Sequence, residues 1–293
     1  MDDGSTDKTQ TRVEAYDDPR IRYHRNSTNL GQTRTNHLGF SIARGKYVAN
    51  LHDDDRWDPK FLERLVPKLE ADDRIAVAFC DHWLMDGRGK INETWTDTSS
   101  TFFKRDRLAP GLHRPFYRLA LLDLSIPVVM GSVMRRSVLD LSDFPDEVDP
   151  IYDLWLAYLL CRDGWAAYYL PDRLTYYRAH PAQEASHSTV KKTLAHLYCY
   201  RRFAADGYIP SLGDPFRNRL KEHHVHLAID YLCSGNTQDA RAALRAGLPS
   251  RPYRSIPAFL LSLLPSRVAQ PLATAARNRT FRFGSVRPLS SSR

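Results

Sequence analysis

The stretch Tyr47-Val48-Ala49-Asn50-Leu51-His52-Asp53-Asp54-Asp55-Arg56-Trp57-Asp58-Pro59 decides how the chain is read. Its opening residues have the apolar character of a buried strand. Three adjacent carboxylates follow at the strand's end, where their mutual repulsion is costly unless a cation or hydrogen-bond donors neutralise it. Hard divalent cations such as Mg2+ and Mn2+ prefer oxygen ligands, so the cluster reads as a metal and diphosphate site. Taken alone it reads equally as a solvated acidic turn capping the helix after Pro59, because aspartate is favoured at helix N-caps.

Outward from this stretch the pattern alternates between strands and helices. Residues 8–16 and 32–43 read as helices, the second closed by Gly45, with a short strand at 20–24 and a buried strand at 46–51. Phe61, Leu62, Leu65, Val66 and Leu69 recur at helical spacing after Pro59, and residues 75–81 form another buried strand. The alternation predicts an α/β layered domain. Asp86-Gly87-Arg88-Gly89 predicts a hairpin turn between strand-like runs at 76–85 and 90–95. A strand is expected at 127–134, a short helix at 137–141, a helix at 150–162, and strands at 165–170 and 174–178. From residue 188 the pattern is helical, over 190–205, 215–233 and 237–246, with Gly207, Gly235 and Gly247 as stops. The divisions expected are an α/β domain at 1–187, a helical region at 188–276 and a disordered Arg- and Ser-rich tail at 277–293.

Composition excludes several classes. With 293 residues, 42% hydrophobic and 26% charged, the chain is an ordinary globular one. No run approaches the ~20 apolar residues of a membrane span. The apolar runs at 119–124 and 257–264 are short and expected to be core. Cys80, Cys161, Cys199 and Cys233 are widely spaced, which fits reduced core thiols rather than disulfides or zinc ligands. A net charge of +8 suits phosphate-bearing partners or an anionic bilayer surface, or simply a soluble surface. No aromatic-interleaved basic motif points to nucleic acid.

The ordered series Asp2-Asp3-Gly4-Ser5-Thr6-Asp7, Asn29-Leu30-Gly31, Ala43-Arg44-Gly45-Lys46-Tyr47-Val48, the Asp triplet and Trp57-Asp58-Pro59 resembles the nucleotide-sugar-binding half of family 2 glycosyltransferases. The resemblance covers the first third of the chain, with fainter echoes to residue 187. It implies a GT-A, Rossmann-like layered sheet followed by a helical appendage. In that family the Asp-Asp-Gly-Ser turn follows the second strand, so the resemblance also implies that the first strand and helix are missing before Met1. The implied activity is metal-dependent, inverting sugar transfer from a nucleoside diphosphate donor to a glycan or lipid-linked acceptor. Implied too are a role in bacterial envelope polysaccharide synthesis and a cytoplasmic location, peripheral to the membrane's inner face.

By the family's pattern Asp3 would reach the nucleotide base or ribose, Asp53 the ribose or metal, and Asp54 would be the principal metal ligand with Asp55 beside it. His52 departs from the pattern, standing where an acidic residue is usual. The family's general base belongs to an acidic pair at the start of a helix resembling Asp153-Leu154-Trp155-Leu156, but Pro150 and Ile151 occupy that pair, which leaves Asp153 and Asp149 as candidates. His180, in Tyr177-Arg178-Ala179-His180, is the candidate histidine ligand for Mn2+ or Mg2+, with His187 next. Arg34 would meet the diphosphate, or else be a solvated helix charge. Trp57, Trp83, Trp95 and Trp155 include the candidates for sugar stacking. Two other readings remain: a sugar-phosphate nucleotidyltransferase, whose Gly-rich phosphate loop is not seen, and a transferase-like binding or assembly module, favoured by the missing first strand and helix, by His52 and by the displaced base.

Overall fold

The computed structural model describes residues 1–180, 189–206, 209, 212–247 and 252–280. Helix α1 (Thr9–Glu14) and helix α2 (Gln32–Ile42) flank an isolated bridge between Asp2 and Arg25. Strand β1 (Tyr47–Val48) leads into the acidic loop, and β2 (Arg56–Trp57) leaves it towards α3 (Phe61–Ala71). Then come β3 (Ile75–Met85), α4 (Glu93–Phe102), β4 (Gly111–His113), α5 (Tyr117–Leu121), β5 (Ser132–Arg135), α6 (Tyr152–Cys161) and β6 (Ala166–Arg178). The C-terminal region is helical: α7 (Val190–Ala205), α8 (Gly213–Cys233), α9 (Thr237–Gly247), α10 (Pro252–Ser262) and α11 (Ser266–Thr280).

The sheet runs β1-β5-β3-β6-β2, with β4 added to β6. Among the described strands only β3 and β6 pair in parallel, from Ile75 opposite Ala166 to Met85 opposite Arg178. The other pairings are antiparallel. The helix-strand alternation predicts a more parallel sheet. Here β5 and β2 return alongside the long pair, so the layers are as expected and the strand directions are mixed.

Packing follows the amphipathic patterns. Phe61, Leu65 and Leu69 of α3 are buried on one face of the sheet, at the i, i+4, i+8 spacing of a helix stripe. Helix α6 covers the other face and is buried at every position but Asp153, as expected of a helix sandwiched between a sheet and other helices. Its Trp155 joins Tyr200 and Phe203 of α7 and Phe216 of α8 in one core. A separate core lies among α8, α9, α10 and α11.

Several local expectations are corrected. The strand expected at 20–24 is reduced to the single Asp2–Arg25 bridge. The hairpin expected across 76–95 is cut to a single antiparallel bridge, Met85 to Ile91, behind the turn in which the Asp86 amide donates to the Lys90 carbonyl at 2.9 Å. Asn92 then accepts a bond from the Trp95 amide at 3.0 Å and starts α4, because an asparagine cap outweighs a short alternating pattern. The strand expected at 127–134 shortens to β5, since Gly131 donates back to the Pro127 carbonyl at 2.9 Å and closes a turn first. The run at 257–264 is not core. On α10 the small residues Ser255, Ala258 and Ser262 are buried, while Ile256, Phe259, Leu260, Leu263 and Leu264 are exposed. Small side chains let the helix approach its neighbours closely, and that turns its bulky side chains outward. Helix α11 continues to Thr280, into the segment expected to be tail; residues 281–293 lie outside the described residues.

Arg135 shows how the sheet is locked to α3. Its buried guanidinium donates to the carbonyls of Ile75 at 2.9 Å, Leu69 at 2.7 Å and Asp72 at 3.2 Å. The last carbonyls of a helix have no helical donor, and here this side chain satisfies that of Leu69 and the C-cap carbonyl of Asp72 while also tying in β3 at Ile75. Arg135→Ala is expected to lower unfolding free energy by about 3 kcal/mol, read from urea melts. A loss under about 0.5 kcal/mol would mean that water replaces the guanidinium at no cost.

Candidate active site

The acidic loop between β1 and β2 is folded back on the end of β6. The Arg178 amide donates to Asp55 Oδ1 at 2.9 Å, and Arg178 Nε donates to the Asp54 carbonyl at 2.7 Å. Held this way, one donor atom from each of His52, Asp54 and Asp55 falls within 4.8 Å of the others. His180 joins them, with Nε2 3.0 Å from Asp54 Oδ2. Asp53 is exposed beside the group.

Asp55 is the least ordinary member. Its side chain is 2% exposed, and its Oδ2 meets no hydrogen-bond donor. His52 Nδ1 lies 4.0 Å from that oxygen. Burial, reinforced by the charges of Asp54 and Asp53 against the amide of Arg178, pushes its pKa up to about 7. A buried carboxylate oxygen without a donor costs stability unless something else neutralises it. A divalent cation fits the donor set: two carboxylates and an imidazole, with His180 alongside.

Next to the cluster lies the start of α6. His52 Nε2 is 3.2 Å from the Tyr152 hydroxyl, and Asn50 links that hydroxyl, at 3.5 Å, to Asn36 of α2 at 2.7 Å. Asp153 follows Tyr152 and is exposed. The surrounding protein raises its pKa, against the pull of the Leu154 amide, Lys192 and His52. It is the one charged position of α6 that opens onto this region.

The remaining candidates are placed differently. Asp3 is enclosed: Leu30 and Gly31 amides donate at 2.7 and 2.8 Å, Asn26 at 2.9 Å and Thr35 at 2.7 Å. Burial alone would raise its pKa, but these four donors leave it lowered. Asp149 accepts from Thr33 and pairs with Lys191 of α7, and despite partial burial its pKa is lowered by those partners. Arg34 pairs with Asp146 on the surface at 3.1 Å. His187 lies outside the described residues. Of the tryptophans, Trp155 is core, and Trp57 stacks on Phe61 at 4.4 Å while donating to the Met130 carbonyl. Trp83 lies under the Arg173 guanidinium at 4.6 Å, on the wall of a pocket of about 600 Å³. That pocket does not include the acidic loop. Its buried Asp81 is already matched by Arg105 at 2.6 Å and Ser100 at 2.6 Å.

Four residues of the site were not assigned a role from the sequence: His52 as a donor, Arg178 as the anchor, and Tyr152 and Lys191 as neighbours. His52 carried a signal, since an imidazole beside carboxylates can add a nitrogen ligand to a cation that prefers oxygen. The others depend on contacts over more than 40 residues and leave no local trace.

Residues 1–141 match the model of Glycosyl transferase family 2. Through that span the chain belongs to glycosyl transferase family 2. Similar proteins include the succinoglycan biosynthesis protein ExoO of Rhizobium meliloti, 36% identical over 30% of this chain and 26% of that protein. Another is the putative colanic acid biosynthesis glycosyl transferase WcaA of Escherichia coli, 38% identical over 21% of this chain and 23% of that protein. An uncharacterized glycosyltransferase of Nostoc, alr2836, is 30% identical over 62% of this chain and 55% of its own length. The chain thus spans about a quarter of the length of ExoO and WcaA. In fold it is similar to S. aureus TarS 1-349, solved in complex with UDP-GlcNAc, with a TM-score of 0.60 and 15% identity, covering 97% of this chain and 82% of that one. The architecture of the chain is the GT-A fold with a helical C-terminal region.

The geometry makes a stability prediction. Because Asp55 is buried beside like charges, Asp55→Asn is expected to melt a few degrees above the parent in EDTA at pH 8, roughly 1 kcal/mol. A lower melting temperature would show that the carboxylate is already neutralised within the protein.

Proposed function

We propose that this chain transfers a sugar, with inversion, from a nucleoside diphosphate donor to a hydroxyl of a glycan or lipid-linked acceptor in polysaccharide assembly. The observation that carries the proposal is the convergence of His52, Asp54 and Asp55 around an unsatisfied buried oxygen, beside the accessible Asp153. The family of residues 1–141 supports the reaction class, and the names of ExoO and WcaA support the polysaccharide context.

His52, Asp54 and Asp55, with His180 beside them, would hold Mn2+ or Mg2+, which supplies positive charge to the departing diphosphate. Asp53, exposed next to them, would face the donor. The acceptor oxygen attacks the anomeric carbon from the side opposite the diphosphate, the carbon–diphosphate bond breaks, and the hydroxyl proton passes to the Asp153 carboxylate. A carboxyl whose pKa is raised by its surroundings is a better proton acceptor at neutral pH than an ordinary one. Asp149 is the weaker candidate for this step, because Lys191 and Thr33 already hold its lone pairs. Asp3 orders the loop at Leu30 and Gly31 beneath the donor instead of reading the base directly, a role in which its four donors are needed.

Two variants separate this reading from that of a binding module. With a panel of nucleoside diphosphates, the parent is expected to show a Mn2+-dependent rise in melting temperature of a few degrees for one nucleotide. Asp54→Asn should abolish it. Asp153→Asn should keep it while lowering sugar transfer about 100-fold or more. Nucleotide binding without any transfer to glycan or lipid-linked acceptors would favour the binding module. No nucleotide response would remove the donor site altogether.

A further inference from the structure

The positive charge of this chain is concentrated at one end. Residues 240–293 contain ten arginines and no aspartate, glutamate or lysine, so the preceding residues are close to neutral although the whole carries +8. Helices α10 and α11 lie within this segment and are packed with their small side chains inward: Ala258 and Ser262 on one, Ala269 and Ala273 on the other. Their bulky side chains face solvent. Tyr253, Leu260 and Leu263 are 67%, 59% and 58% exposed, and Ile256, Val268 and Leu272 are exposed as well. The positions 253, 256 and 260 share one face of α10, Leu263 follows in the turn that leaves it, and Arg267 stands exposed in the first turn of α11. A contiguous apolar surface of this kind marks a docking site in a soluble domain.

We propose that the α10–α11 pair docks on an anionic lipid bilayer, with the apolar face in the interface and the arginines at lipid phosphates. Neither helix is long and apolar enough to cross a membrane, whereas short helices with bulky apolar residues on one face and basic residues around it lie in the headgroup region. Anionic headgroups are complementary to a segment with no acidic residue. A second copy is a poorer occupant, because a twofold contact would set Arg267 and its neighbours against their own equivalents with no carboxylate to pair. The surface is also joined to the cleft. Arg277 of α11 pairs with the buried Asp230 at 3.5 Å, and Asp230 accepts from Thr193 at 2.6 Å, two residues beyond the Lys191 that holds Asp149. Docking would therefore hold the cleft beside the bilayer, which is where a lipid-linked acceptor is presented; this last point rests on the proposed transfer, and bilayer binding itself does not.

The test is flotation of the full chain with vesicles of phosphatidylcholine, with and without phosphatidylglycerol. Ile256→Asp combined with Leu260→Asp changes only exposed side chains, and a thermal melt checks that the fold is kept. The parent is expected to float with the anionic vesicles, with binding weakened about tenfold or more by the double variant, by Arg267→Glu and by added salt. Failure to bind, equal binding to neutral vesicles, or binding unchanged by the variants overturns the proposal. So does self-association in sedimentation that the double variant abolishes, which would make a second copy the occupant. The nucleotide thermal shift on the same preparations keeps the two ideas apart: vesicle binding without nucleotide binding removes the transferase, and the reverse removes the membrane site.

Discussion

The acidic loop depends on Arg178. Asp53, Asp54 and Asp55 would spread apart if left to their charges, and within the loop the Asp55 amide, donating to the His52 carbonyl at 3.2 Å, begins to resist it. Arg178 prevents it with two bonds, from its amide to the Asp55 carboxylate and from its guanidinium to the Asp54 backbone. It can because it ends β6, the strand paired along its length with β3 at the middle of the sheet. The rigidity of the sheet is thereby passed to three carboxylates, and preorganisation of this sort is what a charge-stabilising site requires. Like charges held together by neighbouring structure are a local strain, of the kind that concentrates at functional sites.

The helical region closes the site as well as following it. Helix α7 places Lys191 on Asp149 and Lys192 within electrostatic reach of Asp153. Its Tyr200 and Phe203 continue the core of α6 around Trp155. The helix carrying Asp153 is consequently gripped by the sheet on one side and by α7 on the other. A carboxylate on such a helix has little freedom of position, although its tip remains accessible.

What the sequence discloses follows from how local each signal is. The strand-to-acidic-loop transition at residues 47–59, the stripe of Phe61, Leu65 and Leu69, and the helices from 190 onward are all written in neighbouring residues. The grouping of Asp54, Asp55 and His180 was accessible through family likeness, and the structure brings these residues together. Strand directions were not legible, because a short strand reads the same whichever way its neighbour runs. Nor was the enclosure of Asp3, since its donors at Asn26, Leu30, Gly31 and Thr35 form a pocket only once the loop has closed. The outward face of α10 was misread for a related reason. Periodicity identifies an apolar stripe, but only the neighbours decide whether the stripe or the small residues opposite it are packed.

The buried Asp230 gives the C-terminal helices a bearing on modularity. It receives Thr193 from the first turn of α7 and Arg277 from α11. Cutting the chain after α9 would appear, on a domain diagram, to trim an appendage. It would in fact leave a buried carboxylate without Arg277 directly behind the helix that walls the cleft. The two halves of this protein are therefore not interchangeable parts, and a minimal catalytic core drawn at the family boundary of residue 141 would omit both α6 and its support.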